Sequence, residues 1–128
     1  METEKLTALK MRNMIADGEM KSSDAVQKVL DRIEKYDSSI GAYISTFPER
    51  ALEKAKKIDQ DIEAGKSPGP LAGLPIAIKD NMCTEFGATT CASKMLEKFN
   101  APYNAHVVEK LEQAGAVIIG KTNLDEFA

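Results

Sequence analysis

The segment Lys66-Ser67-Pro68-Gly69-Pro70 divides this chain, because two prolines and a glycine in five residues break helix and strand alike. Ahead of it, apolar residues recur at helical spacing. Behind it, short β-branched runs alternate with a helical pattern. Strand, helix, strand in that order calls for an α/β layer with parallel strands, preceded by helices. The expected fold class is therefore α/β, with residues 1–66 mainly helical and residues 67–128 an α/β segment.

In the helical part, Thr7 is positioned to cap a helix that closes near Gly18. Ser22 or Ser23 is the expected cap of the next helix. There Ala25, Val26, Val29, Leu30 and Ile33 form an apolar stripe, with Asp24, Lys28, Asp31 and Arg32 away from it. The short link between the two helices favours an antiparallel hairpin. Tyr43–Phe47 has the β-branched and aromatic character of a short strand. Pro48 suits the first turn of a third helix, whose inner face is Ala51, Leu52, Ala55, Ile58 and Ile62 and whose stop is Gly65. Lys54, Lys56, Lys57, Asp59 and Asp61 read as its solvated face.

Beyond the break, Leu74–Ile78 reads as a buried strand that delivers Lys79, Asp80 and Asn81 to its C-terminal end. Pro75 is tolerated near its start. Gly87–Thr90 reads as an irregular loop and Ser93–Glu97 as one or two helical turns. Asn104 is the expected cap of a helix with Val107, Val108, Leu111 and Ala114 inward and Gly115 at its end. Ala116–Gly120 follows as a strand, and Asn123 with Glu126 fits a capping box for a further helix that would run past Ala128.

Composition excludes several classes. With 43% hydrophobic and 29% charged residues, the chain suits a packed domain, and no apolar run is long enough for a membrane span. The start, Met-Glu-Thr-Glu-Lys-Leu, lacks the basic and apolar regions of a signal peptide, so a cytoplasmic location is expected. A net charge of −3 with interspersed signs leaves no basic footprint for nucleic acid. Cys83 and Cys91 are too few for a disulfide framework or a zinc site and read as reduced thiols. His106, the only histidine, reads as a helix-start residue facing solvent. Met11, Met14 and Met20 read as packing or surface residues, and Lys94 and Lys121 as surface charges.

Two motifs compete for the chemistry. Gly115-Ala116-Val117-Ile118-Ile119-Gly120-Lys121-Thr122 matches G-x-x-x-x-G-K-[ST] letter for letter. A phosphate loop needs a strand before its first glycine and inward-facing amides between its glycines. Here a helix precedes Gly115, and Ala-Val-Ile-Ile would commit its amides to a sheet. A nucleotide-binding role is thus the least favoured. The second motif is Gly73-Leu74-Pro75-Ile76-Ala77-Ile78-Lys79-Asp80-Asn81. A lysine after a buried strand has apolar sequence neighbours. Partial desolvation would disfavour its charge and let the amine accept a proton from a hydroxyl. On these physical points alone, a Lys–Asp pair at a strand end is more often a solvated turn. Asp80 and Asn81 fit two roles, orienting the strand end or simply forming the turn.

The second motif resembles the lysine-bearing segment of the amidase-signature family. The likeness continues through Thr89-Thr90-Cys91-Ala92-Ser93-Lys94, Tyr103-Asn104-Ala105-His106-Val107-Val108 and Gly115 to Ala128. Ser22-Ser23 and Asp31-Arg32-Ile33-Glu34 resemble the family's N-terminal helices. The pairing of Thr-Thr-Cys-Ala-Ser-Lys with Asn-Leu-Asp-Glu-Phe-Ala is nearest to the A subunits of glutamyl-tRNA(Gln) amidotransferases.

This resemblance implies an amide hydrolase that works through a serine, a second serine in a cis peptide bond, and a lysine matching Lys79. Residues 1–128 would be the N-terminal part of an amidase domain carrying that lysine. The serines and the oxyanion loop would lie beyond Ala128, since Ser22, Ser23, Ser38, Ser39, Ser45, Ser67 and Ser93 have no matching context. This segment alone would then not hydrolyse glutamine. In the A subunits the substrate is glutamine, and the ammonia goes to a partner subunit that converts Glu-tRNA(Gln) to Gln-tRNA(Gln). B and C subunits are the implied partners, with tRNA reached through the partner. ATP and Mg are expected in the partner's reaction, and no cofactor on this chain. The alternatives are another amidase-signature hydrolase of small amides, or a non-catalytic fragment or interaction module. As an isolated piece the chain is expected to expose strand edges on both Leu74–Ile78 and Ala116–Gly120 and to be marginally stable or oligomeric.

Overall fold

The computed structural model describes residues 6–128, so the Met1–Lys5 part of the start, where a signal peptide is not expected, lies outside the described residues. The elements run α1 (Ala8–Ala16), α2 (Ser22–Ile40), β1 (Tyr43–Thr46), α3 (Pro48–Glu63), β2 (Pro75–Lys79), a 3₁₀ turn at Lys94–Leu96, α4 (His106–Gln113) and β3 (Val117–Thr122). The α/β class expected from the sequence is what forms. Among the described residues no helix is long and apolar enough to cross a membrane.

The three strands make a mixed sheet in the order β1-β3-β2, with β2 parallel and β1 antiparallel to β3. It forms a middle layer. On one side Val26 and Leu30 of α2 and Ala51, Ala55 and Ile58 of α3 pack against Val117 and Ile119. On the other, Val108 of α4 packs against Ile78 and Ile118, with Phe47 and Phe86 alongside. The β2–β3 register slips between Ile76/Ile118 and Ala77/Gly120, leaving Ile119 as an extra residue. Such a bulge reverses which face later side chains occupy. Lys121 therefore pairs with Ile78, on the Ile118 side, although simple alternation would group it with Val117 and Ile119.

Several local expectations hold. Thr7 caps α1 by accepting from the Lys10 amide at 3.2 Å. Pro48 opens α3, and Gly65, with φ 76°, follows its end. Others are corrected. Neither Ser22 nor Ser23 caps α2 with its own side chain; both lie inside the helix. The cap is the carboxylate of Asp59 in α3, which accepts from the Ser22 amide (2.7 Å), the Ser23 amide (3.1 Å) and the Ser23 hydroxyl (2.6 Å). Asp59 is thus buried rather than part of a solvated face. The Ser22 hydroxyl instead donates to the Gly73 carbonyl at 2.7 Å. Accordingly α2 packs chiefly on α3, while α1 meets it through Met11, Ile15 and Ala25.

Asn104 does not cap α4. Its carboxamide accepts from the Glu85 amide (2.8 Å) and donates to the Glu85 carboxylate (3.1 Å), tying the segment before α4 to the loop after β2. Val107, expected inside, is 46% exposed. No capping box forms at Asn123, whose side-chain oxygen takes the Leu124 amide at 2.9 Å, and no helix follows it among the described residues. Finally, Ala116–Gly120 does not lack a partner: β3 is paired on both sides, and the outer edges belong to β1 and β2.

Candidate active site

The C-terminal end of the parallel pair is where the chemistry-bearing residues gather, as is usual for open α/β sheets. Lys79 is the last residue of β2 and opposes Thr122 of β3. Its side chain is exposed and lines a surface concavity with Asn123, Leu124, Asp125 and Ala128. The expected desolvation of this amine is therefore not present within the described residues. Apolar neighbours in sequence do not desolvate a strand's last residue, because the layers that bury Ile78 end before it.

Asp80, one residue on, is fully buried. Its carboxylate accepts from the Thr90 amide at 3.1 Å and from the Thr90 hydroxyl. Its backbone amide donates to the Thr122 carbonyl at 3.1 Å, and its carbonyl accepts from the Cys91 amide at 3.0 Å. Of the two roles open to Asp80, orienting the strand end is the one its bonds perform. Asn81 is exposed.

The buried lysine of this region is Lys121, which sequence reasoning placed on the surface. It is 0% exposed. Its ammonium donates to the Ala88 carbonyl at 2.9 Å and the Thr89 hydroxyl at 2.7 Å, and lies 3.6 Å from Asp80 Oδ1. Burial pushes its pKa below the ordinary lysine value, while Asp80 pulls it back up. A signal was available: Ala116–Ile119 is apolar at every position, the mark of a strand covered on both faces, so the residues that continue it are candidates for burial.

The loop held by Lys121 and Asp80 is strained. Cys91 and Ala92 both adopt left-handed backbone, with φ of 51° and 56°. Non-glycine residues there cost about 1–2 kcal/mol each. The loop's bonds hold them: Thr90 Oγ1 accepts from the Ala92 amide at 3.1 Å, and the Cys91 carbonyl accepts from the Phe127 amide at 2.9 Å. Cys83 and Cys91 are free thiols. His106 begins α4 and is exposed. Among the described residues no group of three or more His, Cys, Asp or Glu could hold a metal ion.

The glycines of the G-x-x-x-x-G-K-T segment have packing roles. A Cβ on Gly115 would stand 2.1 Å from the Pro68 carbonyl oxygen, and one on Gly120 2.6 Å from that of Ser45. The residues between them feed β3, whose ladder runs on both sides. Four of the serines are engaged elsewhere: Ser22 and Ser23 at the start of α2, Ser39 on the Tyr36 carbonyl, and Ser93 accepting from the Met95 amide.

Known proteins resemble this chain in both sequence and fold. The amidase family profile matches residues 24–128. The A subunit of glutamyl-tRNA(Gln) amidotransferase from Lachnospira eligens is 52% identical over 122 residues, 95% of this chain and 25% of that protein. Its counterpart from Natranaerobius thermophilus is 48% identical over 128 residues, 100% of this chain and 26% of that one. The chain thus spans about a quarter of the length of the curated relatives it matches. Among solved structures, native peptide amidase from Stenotrophomonas maltophilia superimposes with a TM-score of 0.91 at 34% identity, covering 99% of this chain and 26% of the enzyme. A chain from a vestigial complex linked to the origins of an s-triazine catabolic enzyme gives a TM-score of 0.92 at 34% identity, covering 96% of this chain and 27% of its own length. The chain belongs to the amidase-signature family.

Proposed function

We propose that this chain is the lysine-bearing N-terminal part of a glutamine amidase, the A subunit of a glutamyl-tRNA(Gln) amidotransferase. The observation that carries this reading is the likeness to A subunits, which runs through the strand, loop and β3 segments that surround Lys79. In the reaction so assigned, Lys79 is the base that takes the proton of a serine hydroxyl through a second serine. Both serines belong to chain beyond residue 128. For the amine to act it must be uncharged. Since it is exposed here, the covering that dries it would come from that further chain, over the concavity of Asn123, Leu124, Asp125 and Ala128.

Ammonia would pass to a B subunit, with a C subunit bridging, in the cytoplasm. ATP and Mg would serve that partner's activation of Glu-tRNA(Gln). On this reading neither group is assigned to this chain, and the segment that matches a phosphate loop is a paired strand. The closeness of the fold to a peptide amidase favours, as a second reading, hydrolysis of another small amide.

The test is a chimera in which residues 1–128 replace the corresponding part of the Lachnospira eligens A subunit, produced with that enzyme's partner subunits. Glutamine hydrolysis and Gln-tRNA(Gln) formation are expected, and Lys79→Ala should lower kcat by about 10²–10⁴-fold, the usual share of a general base. Full activity in Lys79→Ala would remove the base assignment. A folded chimera that cleaves small amides but not glutamine would establish the second reading instead.

A further inference from the structure

We propose that Lys121 is a positioning residue for amide hydrolysis, a buried cation that fixes the end of β2 from which Lys79 projects. The proposal rests on the reading of Lys79 as the base. Three observations carry it. First, Lys121 reaches its place through the β3 bulge, which turns it onto the Ile78 side of the sheet. Bulges recur beside active sites because they re-aim a side chain in this way.

Second, the polar contacts of its ammonium go to the structure around Lys79. It bonds Ala88 and Thr89, and it faces Asp80 Oδ1, a buried oxygen with no hydrogen-bond partner. The other oxygen of Asp80 holds Thr90. Through the Cys91 amide the same loop bonds the backbone of residue 80, and through the Cys91 carbonyl it bonds Phe127. The loop thus joins the strand end that bears Lys79 to the 123–128 segment that lines the same concavity.

Third, the arrangement is costly as packing alone. An apolar side chain of similar length would fill the space without desolvating a charge, and replacing buried ion pairs by apolar groups is often neutral or stabilising. The loop is also held in left-handed backbone at Cys91 and Ala92. Strain of this kind persists only where surrounding bonds over-determine it, and it collects at functional sites.

The experiment uses the active chimera. Lys121→Met should lower kcat by about 30–100-fold, since a misplacement near 1 Å can cost 10²-fold, while KM changes by less than about threefold. Lys121→Met/Asp80→Asn removes both buried charges, so its melting temperature should return toward that of the parent while kcat stays low. Thr89→Val deletes one of the two hydrogen bonds without stranding a charge and should lower kcat about 10-fold, again with little effect on KM. Lys94→Met, at an exposed lysine of the same loop, should leave kcat unchanged. Recovery of kcat together with melting temperature in the double variant would show a merely structural lysine and overturn the proposal. So would unchanged kcat in Thr89→Val. Full activity in Lys79→Ala would sink the base assignment and with it the role of Lys121 in aiming that base, whereas a large loss in Lys79→Ala beside unchanged kcat in Thr89→Val would sink the positioning proposal alone.

Discussion

The carboxylate of Asp59 is the most direct place to test how this fold is held together. It lies in α3 yet terminates α2, accepting two main-chain amides and one hydroxyl while only 9% exposed. In Asp59→Ala the Ser22 and Ser23 amides lose their acceptor at a largely buried helix start. A side-chain cap is worth about 0.5–2 kcal/mol, and a hydrogen bond to a charged group about 1.5–3 kcal/mol. The three bonds share one carboxylate and the Ser23 hydroxyl can turn to water, so these terms do not add. A loss of about 3 kcal/mol is expected. For a domain of this size that corresponds to roughly 10–12 °C in Tm. Asp59→Asn keeps one acceptor oxygen but turns an NH₂ toward a donor, and should cost about half as much. Urea unfolding of the 128-residue chain, followed by helical circular dichroism, gives both values. If Asp59→Ala unfolds within about 1 kcal/mol of the parent, the worth of an ordinary exposed cap, the long-range cap is not what anchors α2.

Two further predictions concern Lys121 and the glycines. Because burial lowers the Lys121 pKa, the unfolded chain binds more protons than the folded one between the lowered value and the ordinary one. This group's contribution therefore rises with pH through that alkaline window and is lost as pH falls through it. Tyr43, raised by burial and by Asp37, acts in the opposite direction from the ordinary tyrosine pKa upward, so the measurement is the parent chain against Lys121→Met. The stability difference between them should shift in favour of the parent as pH rises toward the ordinary lysine pKa, and a flat difference would refute the assignment. Gly115→Ala, with φ 90° and a Cβ position 2.1 Å from the Pro68 carbonyl oxygen, should prevent cooperative folding or cost more than about 3 kcal/mol. Gly18→Ala, with φ 74° and open space, should cost only about 1 kcal/mol, and equal melting of the two would contradict the steric account.

What could be read from the sequence was whatever depends on near neighbours. Ala25, Val26 and Leu30 show their apolar face at helical spacing, Pro48 and Gly65 mark the limits of α3, and Thr7 caps within its own turn. Most of the misses share one cause: the deciding partner is distant in the chain. Asp59 looks like any carboxylate on a charged helix face until α2 is folded against it, 36 residues away. Asn104 has the right residue type for a cap but is engaged by Glu85. Lys79 and Lys121 exchanged expectations for a geometric reason. Lys79 outlasts the layers that cover β2, whereas a one-residue bulge carries Lys121 beneath the 88–90 loop. No period-2 pattern announces a bulge. The resemblance attaches directly to the Lys79-Asp80 pair, and the structure places both residues at the C-terminal end of β2.

The position of β3 between its neighbours also sets an order of events during synthesis. The ribosome makes both flanking strands before the one they share, and β1 ends at Thr46 while β3 begins at Val117. At ordinary elongation rates the intervening stretch of roughly 70 residues takes about 4–14 s to produce. Until then the sheet has no ladder, and the contacts among α1, α2 and α3 are the first that can form. The nascent chain is in this sense a helical protein first, and its strands wait for their centre to arrive.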